Sequence, residues 1–598
     1  MRWPDRDFRT ALAGLAFIVF WLGALLAGCA PAGEAPAAVV YSSASRTPAG
    51  RITATPFLPN APTATASMTP VPQTGSARSA DRASPAPQTG SAGSPDRART
   101  AKPGIWIADY IPEQLRAGLD LPPGIDWSQA REDALVRLEV GGERPVGQWV
   151  FALAAPFPTV TGGVSSQDIL RSWKGETAGP FAGQPLLMES RTAEIFTELW
   201  GEPAPGAVEA LSSPELLGHA WEHRPSWAIV PFEYLEPRWK TLEVDGISPL
   251  RNDFDAQRYP LAVTFSVEGD PQAAEPFQAL NFEETILANR QPEKLTNLLM
   301  TGVTALVRAT AFTMERNGIT YPAQDIGGVL TSADLTHVSN EIPFDPGCPP
   351  PNPSQADLRF CSDPAYIALL EEVGTDVIEL TGDHFADRGP EAMRYTLDLY
   401  NQAGWLYYGG GYDRSDARQA LLVEHNGNRI AFIGCNAKGG GYATASESQP
   451  GAVACDFDWM HREIGRLQGE GVLVIATFQH FEYYSYYPQP LQIEDFGGMA
   501  KAGAVIVSGS QSHQPQGMGF EGNTFMHYGL GNLFFDQYHF CTDNACDDAF
   551  IDRHVFYDGR YIGTELLTIR FVDYARSVWM TEEEQVELLD KVFRASGW

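Results

Sequence analysis

After residue 104 the apolar positions fall into two rhythms, short continuous runs and a three-to-four-residue spacing. Folded sequence begins near Gly104-Ile105-Trp106. The apolar run Trp149 to Ala154, the helically spaced Ser165 to Trp173 and the run Trp227 to Phe232 predict strands alternating with helices, an α/β domain over 104–268. A connector is expected over 269–296, and a second α/β domain over 297–598. In it Asp376 to Leu380, Val472 to Ala476 and Ala504 to Val507 have the length and apolarity of buried strands. A helix fits Pro390 to Ala403, because Met393, Thr396, Leu397 and Tyr400 share one face and Gly404 follows the end. Glu565 to Phe571 predicts a late strand. From Thr581 to Phe593 an acidic helix is expected to turn Val586, Leu589 and Val592 inward.

The first hundred residues differ. Arg2, Arg6 and Arg9 precede an apolar run from Ala11 to Gly28, short for a membrane span and suited to a signal-peptide core over 1–28, with an uncleaved anchor as the alternative. The run ends in Leu26-Ala27-Gly28-Cys29, which resembles a bacterial lipobox and implies lipidation of Cys29. The expected location is therefore extracytoplasmic, lipid-anchored to the cell membrane. Acyl chains anchor by about 0.8 kcal/mol per buried methylene. Segment 29–103 is rich in Ala, Pro, Ser, Thr and Gly and reads as a disordered tether that gives reach.

Composition narrows the partners. Against 42 Lys plus Arg stand 74 Asp plus Glu, a formal charge of −32 that repels phosphate backbones and excludes nucleic acid. Of seven cysteines, all but Cys29 lie beyond residue 340, in a compartment where disulfides persist. Several connectivities are open to them. The economical one joins the close pairs Cys348 with Cys361, Cys435 with Cys455 and Cys541 with Cys546.

Histidines concentrate at strand ends. Asp376 to Leu380 runs into Thr381-Gly382-Asp383-His384, Val472 to Ala476 into Gln479-His480-Phe481-Glu482, and Ala504 to Val507 into Ser508-Gly509-Ser510-Gln511-Ser512-His513. Ligands of α/β sheets gather beyond the carboxyl ends of strands, so these loops are expected to share a site. The tyrosines of Phe481 to Pro488 suit either a saccharide or polymer at a cleft edge or core packing. His219 and His223, four apart, fit a solvated helix face better than a metal pair.

These motifs carry a resemblance. Ala333 to Glu341, Asp383-His384 with Asp387 and Gly389, the late loop Gly503 to Gln516, and Tyr528-Gly529-Leu530-Gly531-Asn532-Leu533-Phe534 resemble, in order, motifs of the capsule-synthesis or poly-γ-glutamate-synthesis CapA family. The resemblance implies a two-sheet α-β-β-α sandwich like that of metallophosphoesterases. It implies a divalent metal on Glu341, Asp383, His384, His480 and His513, proton transfer by His384 or His480 with Asp387 in the catalytic loop, and substrate contacts from Arg308, Arg388, Glu482, Gln516 and Asn532. Four places depart from it: Val303 stands where the family has a carboxylate, Phe478-Gln479-His480-Phe481-Glu482 loses the family's His in register while keeping Glu482 and offering His480 two residues away, Ser510-Gln511 stand where it tends to carry His, and Asp383 replaces an amide by a carboxylate. Residues 104–268, through Ala155 to Val160, Trp173 to Glu176, Trp227 to Phe232 and Trp239 to Gly246, resemble a reduced phosphate-type solute-binding domain, and no ligand residue is assigned there.

The implied function is synthesis, export or anchoring of a capsule polymer such as poly-γ-glutamate, within a capsule-synthesis membrane complex. Metal-dependent hydrolysis or transfer is one reading. The alternative is a non-catalytic polymer- or solute-binding envelope protein whose metal site has degenerated.

Overall fold

The strand Leu295–Thr304 is buried at every position and forms the spine of the C-terminal half in a computed structural model of the chain. It is covered on both faces although its sequence is no continuous apolar run, and its buried Thr296 and Thr301 hydroxyls donate to the carbonyls of His425 and His337, each at 3.0 Å. It pairs in parallel with Leu335–Asn340 and antiparallel with Asp548–Tyr557. The sheet continues through Val377–Glu379 to Leu406–Tyr408 on one side and through Arg560–Val572 to Arg576–Trp579 on the other. A second sheet runs Val40–Ser42, Leu421–His425, Asn428–Asn436, Leu473–Gln479, Ile506–Ser508, Thr524–His527, Met518–Glu521.

The two sheets face each other. Leu298, Met300, Leu335 and Val377 of the first share one apolar cluster with Phe432, Ile475, Ile506 and Phe525 of the second. Tyr408 crosses between them to Thr477, oxygen to oxygen 2.9 Å. Helices close the outer faces. Met393, Leu397 and Tyr400 of the helix Gly389–Ala403 pack with Val338 and Ile378 of the first sheet. Met460 and Ile464 of Phe457–Gly469, with Phe496 and Met499 of Pro490–Ala502, pack on Ala431, Val474 and Val507 of the second. This is the α-β-β-α sandwich that the family resemblance implies.

Local signals act where the sequence placed them. Gly404 ends its helix in the left-handed region at φ 75°, and Thr581 opens Glu582–Ala595 with a capping box to Glu584. The three short-range cysteine pairs are the disulfides of the structure, Cys348–Cys361, Cys435–Cys455 and Cys541–Cys546.

The N-terminal part is a mixed ten-stranded sheet centred on Pro145–Pro156, which pairs with Trp227–Pro231, Ala262–Gly269 and Trp239–Thr241. The helices Ser166–Trp173, Ser190–Trp200 and Ser213–Glu222 belong to it, the first capped by Ser165. Its core is completed from the C-terminal part: Leu295, Val555, Tyr557 and Ile562 pack into the same cluster as Val150 and Phe232. The expected connector takes part in the sheet. Leu287–Ala288 pairs with Pro145–Pro156, and the Asn289 side chain accepts from the Val150 N–H at 2.8 Å and donates to its carbonyl at 2.9 Å.

The structure describes residues 40–42, 104–117, 126–128, 130–142, 144–269, 287–537, 541 and 545–598. The expected signal segment 1–28, Cys29 and most of the tether lie outside them; of the tether, Val40–Ser42 pairs in parallel with Leu422–Glu424. Among the described residues no helix is long and apolar enough to cross a membrane.

Candidate functional site

Five parallel strands, two of the first sheet and three of the second, deliver their following loops to one place. Glu341 follows Leu335–Asn340, Asp383 and His384 follow Val377–Glu379, Lys438 follows Asn428–Asn436, Glu482 follows Leu473–Gln479, and His513 follows Ile506–Ser508. Gly382 permits the closest of these approaches, since a Cβ there would stand 2.7 Å from the Glu341 Cα and carbonyl oxygen.

Glu341, Asp383 and His384 each bring one ligand atom within 4.8 Å of the others. Glu341 is fully buried, and neither of its carboxylate oxygens takes part in a hydrogen bond; Asp383 Oδ1 is likewise buried without one. Burial, reinforced by the Asp383 charge, pushes the Glu341 carboxyl well above the usual carboxylate range. For Asp383 burial acts upward too, but the His384 and Lys438 charges outweigh it and hold the group below its ordinary value. His384 is pushed up to about 9: burial opposes its charge, yet the Asp387 hydrogen bond and the Glu341 and Asp383 carboxylates prevail.

The surrounding groups fix the geometry. Asp387 Oδ2 lies 2.7 Å from His384 Nδ1 and accepts from the Phe360 N–H at 2.8 Å, leaving His384 Nε2 for the cluster. His513 is held by Asn532, whose Oδ1 is 3.0 Å from Nδ1 and whose Nδ2 donates to the His513 carbonyl at 3.2 Å. This network assigns the proton of His513 to Nδ1 and the lone pair to Nε2, 3.6 Å from Glu341 Oε1 and 4.0 Å from Glu482 Oε2. Burial lowers the His513 pKa and favours that neutral form. Lys438 Nζ donates to Asp383 Oδ2 at 2.5 Å and also to Glu482 Oε1. Glu482 accepts from the Tyr484 hydroxyl at 3.0 Å and is held below its usual range: burial raises it, and His513 and Lys438 more than offset this.

Four sequence expectations are corrected by this geometry. His480 does not join the cluster: side chains alternate along a strand, so Thr477 and Gln479 face inward while Phe478 and His480 face the outer helix. There His480 Nε2 meets Asp495 Oδ2 at 2.9 Å beside Phe496, which removes it both as ligand and as proton carrier. Arg308 is buried, stacked 4.7 Å from the Phe535 ring centre and bonded to the Asp536 carbonyl, so it holds the fold and does not face a polymer. Arg388 clamps the loop of the first disulfide through Asp345 Oδ2 at 2.9 Å and the Gly347 carbonyl at 3.2 Å. Gln516 is spent on the Tyr483 and Ser485 carbonyls and on Gln492. Asp387 and Asn532 act through the histidines they orient and are positioning residues.

Two of these departures have a local setting in the structure. Val303 sits in a small apolar cluster with Ala305, Ile342, Phe360 and Phe535, and its isopropyl side chain offers no ligand atom. Ser510 turns to Glu379, a fully buried carboxyl that burial pushes up and Thr381 also bonds. The residue that sequence reading missed is Lys438; its signal was present, a charged side chain directly after an apolar strand and before Gly439-Gly440-Gly441.

Two carboxylates and an imidazole, with three buried oxygens lacking hydrogen bonds, form a donor set that fits a divalent cation. Among the described residues this is the one grouping of three such ligands.

Comparison with known proteins agrees on the C-terminal half. Residues 297–537 match the family described as bacterial capsule synthesis protein PGA_cap. The chain is 26% identical over 290 residues to the capsule biosynthesis protein CapA of Bacillus anthracis, covering 47% of this chain and 68% of that protein. Among solved structures, a 5'-nucleotidase precursor from Thermus thermophilus aligns at 12% identity and a TM-score of 0.30, over 49% of this chain and 57% of its own. An ABC-type phosphate transport receptor from Vibrio cholerae aligns at 9% identity and a TM-score of 0.24, over 30% of this chain and 93% of its own. The segment 297–537, with the strand-end cluster it carries, thus matches the bacterial capsule synthesis protein family and is similar to a capsule biosynthesis protein CapA.

Proposed function

We propose that the protein acts in capsule biosynthesis outside the cytoplasm, as a lipoprotein anchored through Cys29, on an anionic envelope polymer such as poly-γ-glutamate. The observation that carries the chemical part is Glu341: a fully buried carboxylate with both oxygens free of hydrogen bonds, beside Asp383 and His384, is a group arranged for a cation. A divalent ion held by these three residues would polarise the amide or phosphoryl bond to be hydrolysed or transferred. The chain's own groups supply the rest. Asp387 keeps His384 Nε2 directed at the cluster, Asn532 keeps the lone pair of His513 Nε2 on the site side as a proton acceptor, and Glu482 stands within 4.0 Å of that nitrogen. The aromatic rim at Phe481, Tyr484 and Tyr487 is exposed and suits a polymer lying across the mouth.

A second reading, binding without catalysis, is favoured by one observation: Val303 and Ser510 contribute no ligand, so the donor set is smaller than the resemblance implies. Incubation of the full-length protein with poly-γ-glutamate and Mn²⁺, followed by sizing of the polymer, separates the two. Shortening or transfer that disappears in His384→Ala is the expected result. Polymer retained by the protein but never altered in length, with or without the ion, would leave binding alone.

A further inference from the structure

Among the described residues Lys438 is the one cation whose charged end enters the cluster from the second sheet, and its surroundings are those of an ion. Its ammonium is only slightly exposed and bridges two carboxylates from two different strand-end loops, Asp383 at 2.5 Å and Glu482. The Tyr442 ring centre lies 5.2 Å away on a third side. Asp383 thereby faces two ways: Oδ2 is taken by Lys438, while Oδ1 stays buried without a hydrogen bond in the group it forms with Glu341 and His384. A carboxylate shared between two positive centres is what a bridging ligand does in a two-cation site, where the ions lie about 3.5–4 Å apart.

We infer that the Lys438 ammonium is a tethered cation occupying the place of a second ion between Asp383 and Glu482, so that the site accepts one divalent ion fewer than its carboxylates would otherwise hold. This rests on the reading of the cluster as a cation site proposed above. Chemically the substitution is consistent, because an ammonium offers three donors to carboxylates and brings one fixed positive charge that cannot dissociate. It also differs from a metal: it coordinates no water and has no open position for a substrate oxygen, so it neutralises Asp383 and Glu482 without acting as a Lewis acid.

Removing the ammonium while keeping the shape of the stem exposes both carboxylates. The experiment is titration of the full-length protein with Mn²⁺, read by equilibrium dialysis and by electron paramagnetic resonance of the free ion, in the wild type, Lys438→Met and the double variant Lys438→Met, Glu482→Gln. The expected result is one further Mn²⁺ per chain in Lys438→Met than in the wild type, lost again in the double variant. Equal stoichiometry in wild type and Lys438→Met overturns the inference. The wild-type value tests the other proposal separately: a wild type that binds no ion beside a Lys438→Met that binds one supports the tethered cation and sinks the divalent-ion reading. Should Lys438→Met be too unstable to dialyse, thermal midpoints with and without Mn²⁺ decide. The ion is expected to raise the midpoint of the variant more than that of the wild type, and equal shifts overturn the inference.

Discussion

His384 Nδ1 and Asp387 Oδ2 are 2.7 Å apart, three residues along one loop, and Asp387 is itself fixed by the Phe360 N–H at 2.8 Å. The pair sets both the rotation and the tautomer of the imidazole, which decides whether Nε2 can serve the cluster. Partners of this kind typically contribute about 10–100-fold to metal affinity. Asp387→Ala should therefore weaken Mn²⁺ binding by roughly tenfold or more in calorimetric titration, with Asp387→Asn between it and the wild type. Affinity unchanged in Asp387→Ala would remove the residue from the site.

Arg308 gives a prediction of the opposite kind. Its backbone is in the left-handed region at φ 52°, and its side chain is buried between Phe360 and Phe535 with Asp536 as its carboxylate partner at 3.6 Å. Leaving Asp536 buried without its cation costs about 3 kcal/mol or more. Arg308→Ala should lower the unfolding free energy in urea by about that amount while folded protein keeps its polymer affinity. A stable variant that no longer binds polymer would restore Arg308 to the binding surface.

Much of this site is readable from sequence because strand-end loops are local features. Three apolar runs each followed by His or Asp locate Asp383, His384, Glu482 and His513, and the structure brings all four around Glu341. What cannot be read is which way each side chain turns. His480 stands out by its position after a strand, but the parity of Leu473–Gln479 faces it to Asp495. Arg308 and Arg388 stand out by charge, and their partners, Asp536 and Asp345, are distant in sequence. Lys438 escapes notice because its two carboxylates arrive from loops 55 and 44 residues away. Similarly, the sharing of Val555 and Tyr557 with the N-terminal core has no sequence signal, since a hydrophobic residue does not announce which core it enters.

The disulfide Cys435–Cys455 closes a separation of 20 residues and lies at the end of Asn428–Asn436, three residues before Lys438. A loop of this length limits the unfolded chain by about 3 kcal/mol. The double variant Cys435→Ser, Cys455→Ser should lose about that stability in urea. It should also release the Lys438 loop, seen as faster amide hydrogen exchange at Lys438 to Gly441. Exchange at these amides equal to that of the wild type would show the loop to be held by its ion pairs alone.

Stability should fall in acid through two histidines far from the cluster's ligands. His337 is buried between the sheets, its Nε2 2.8 Å from the Tyr408 hydroxyl and 3.8 Å from Glu379, with the Phe432 ring against its face and the His554 charge, when present, opposing its own. Burial pushes His337 down to about 3 and His554 down to about 4. Both are neutral in the folded protein, whereas in the unfolded chain they take a proton below about pH 6.5. The unfolded state therefore binds more protons in this window, and stability is fully present above pH 6.5 and lost as the pH falls toward the folded values. By pH 4.5 each histidine should cost about 2–3 kcal/mol relative to pH 7. In His337→Gln the difference between urea unfolding free energies at pH 7 and pH 4.5 should shrink by roughly that amount, while the carboxylates common to both proteins contribute equally to each. A difference as large as that of the wild type would mean that His337 takes up its proton without unfolding.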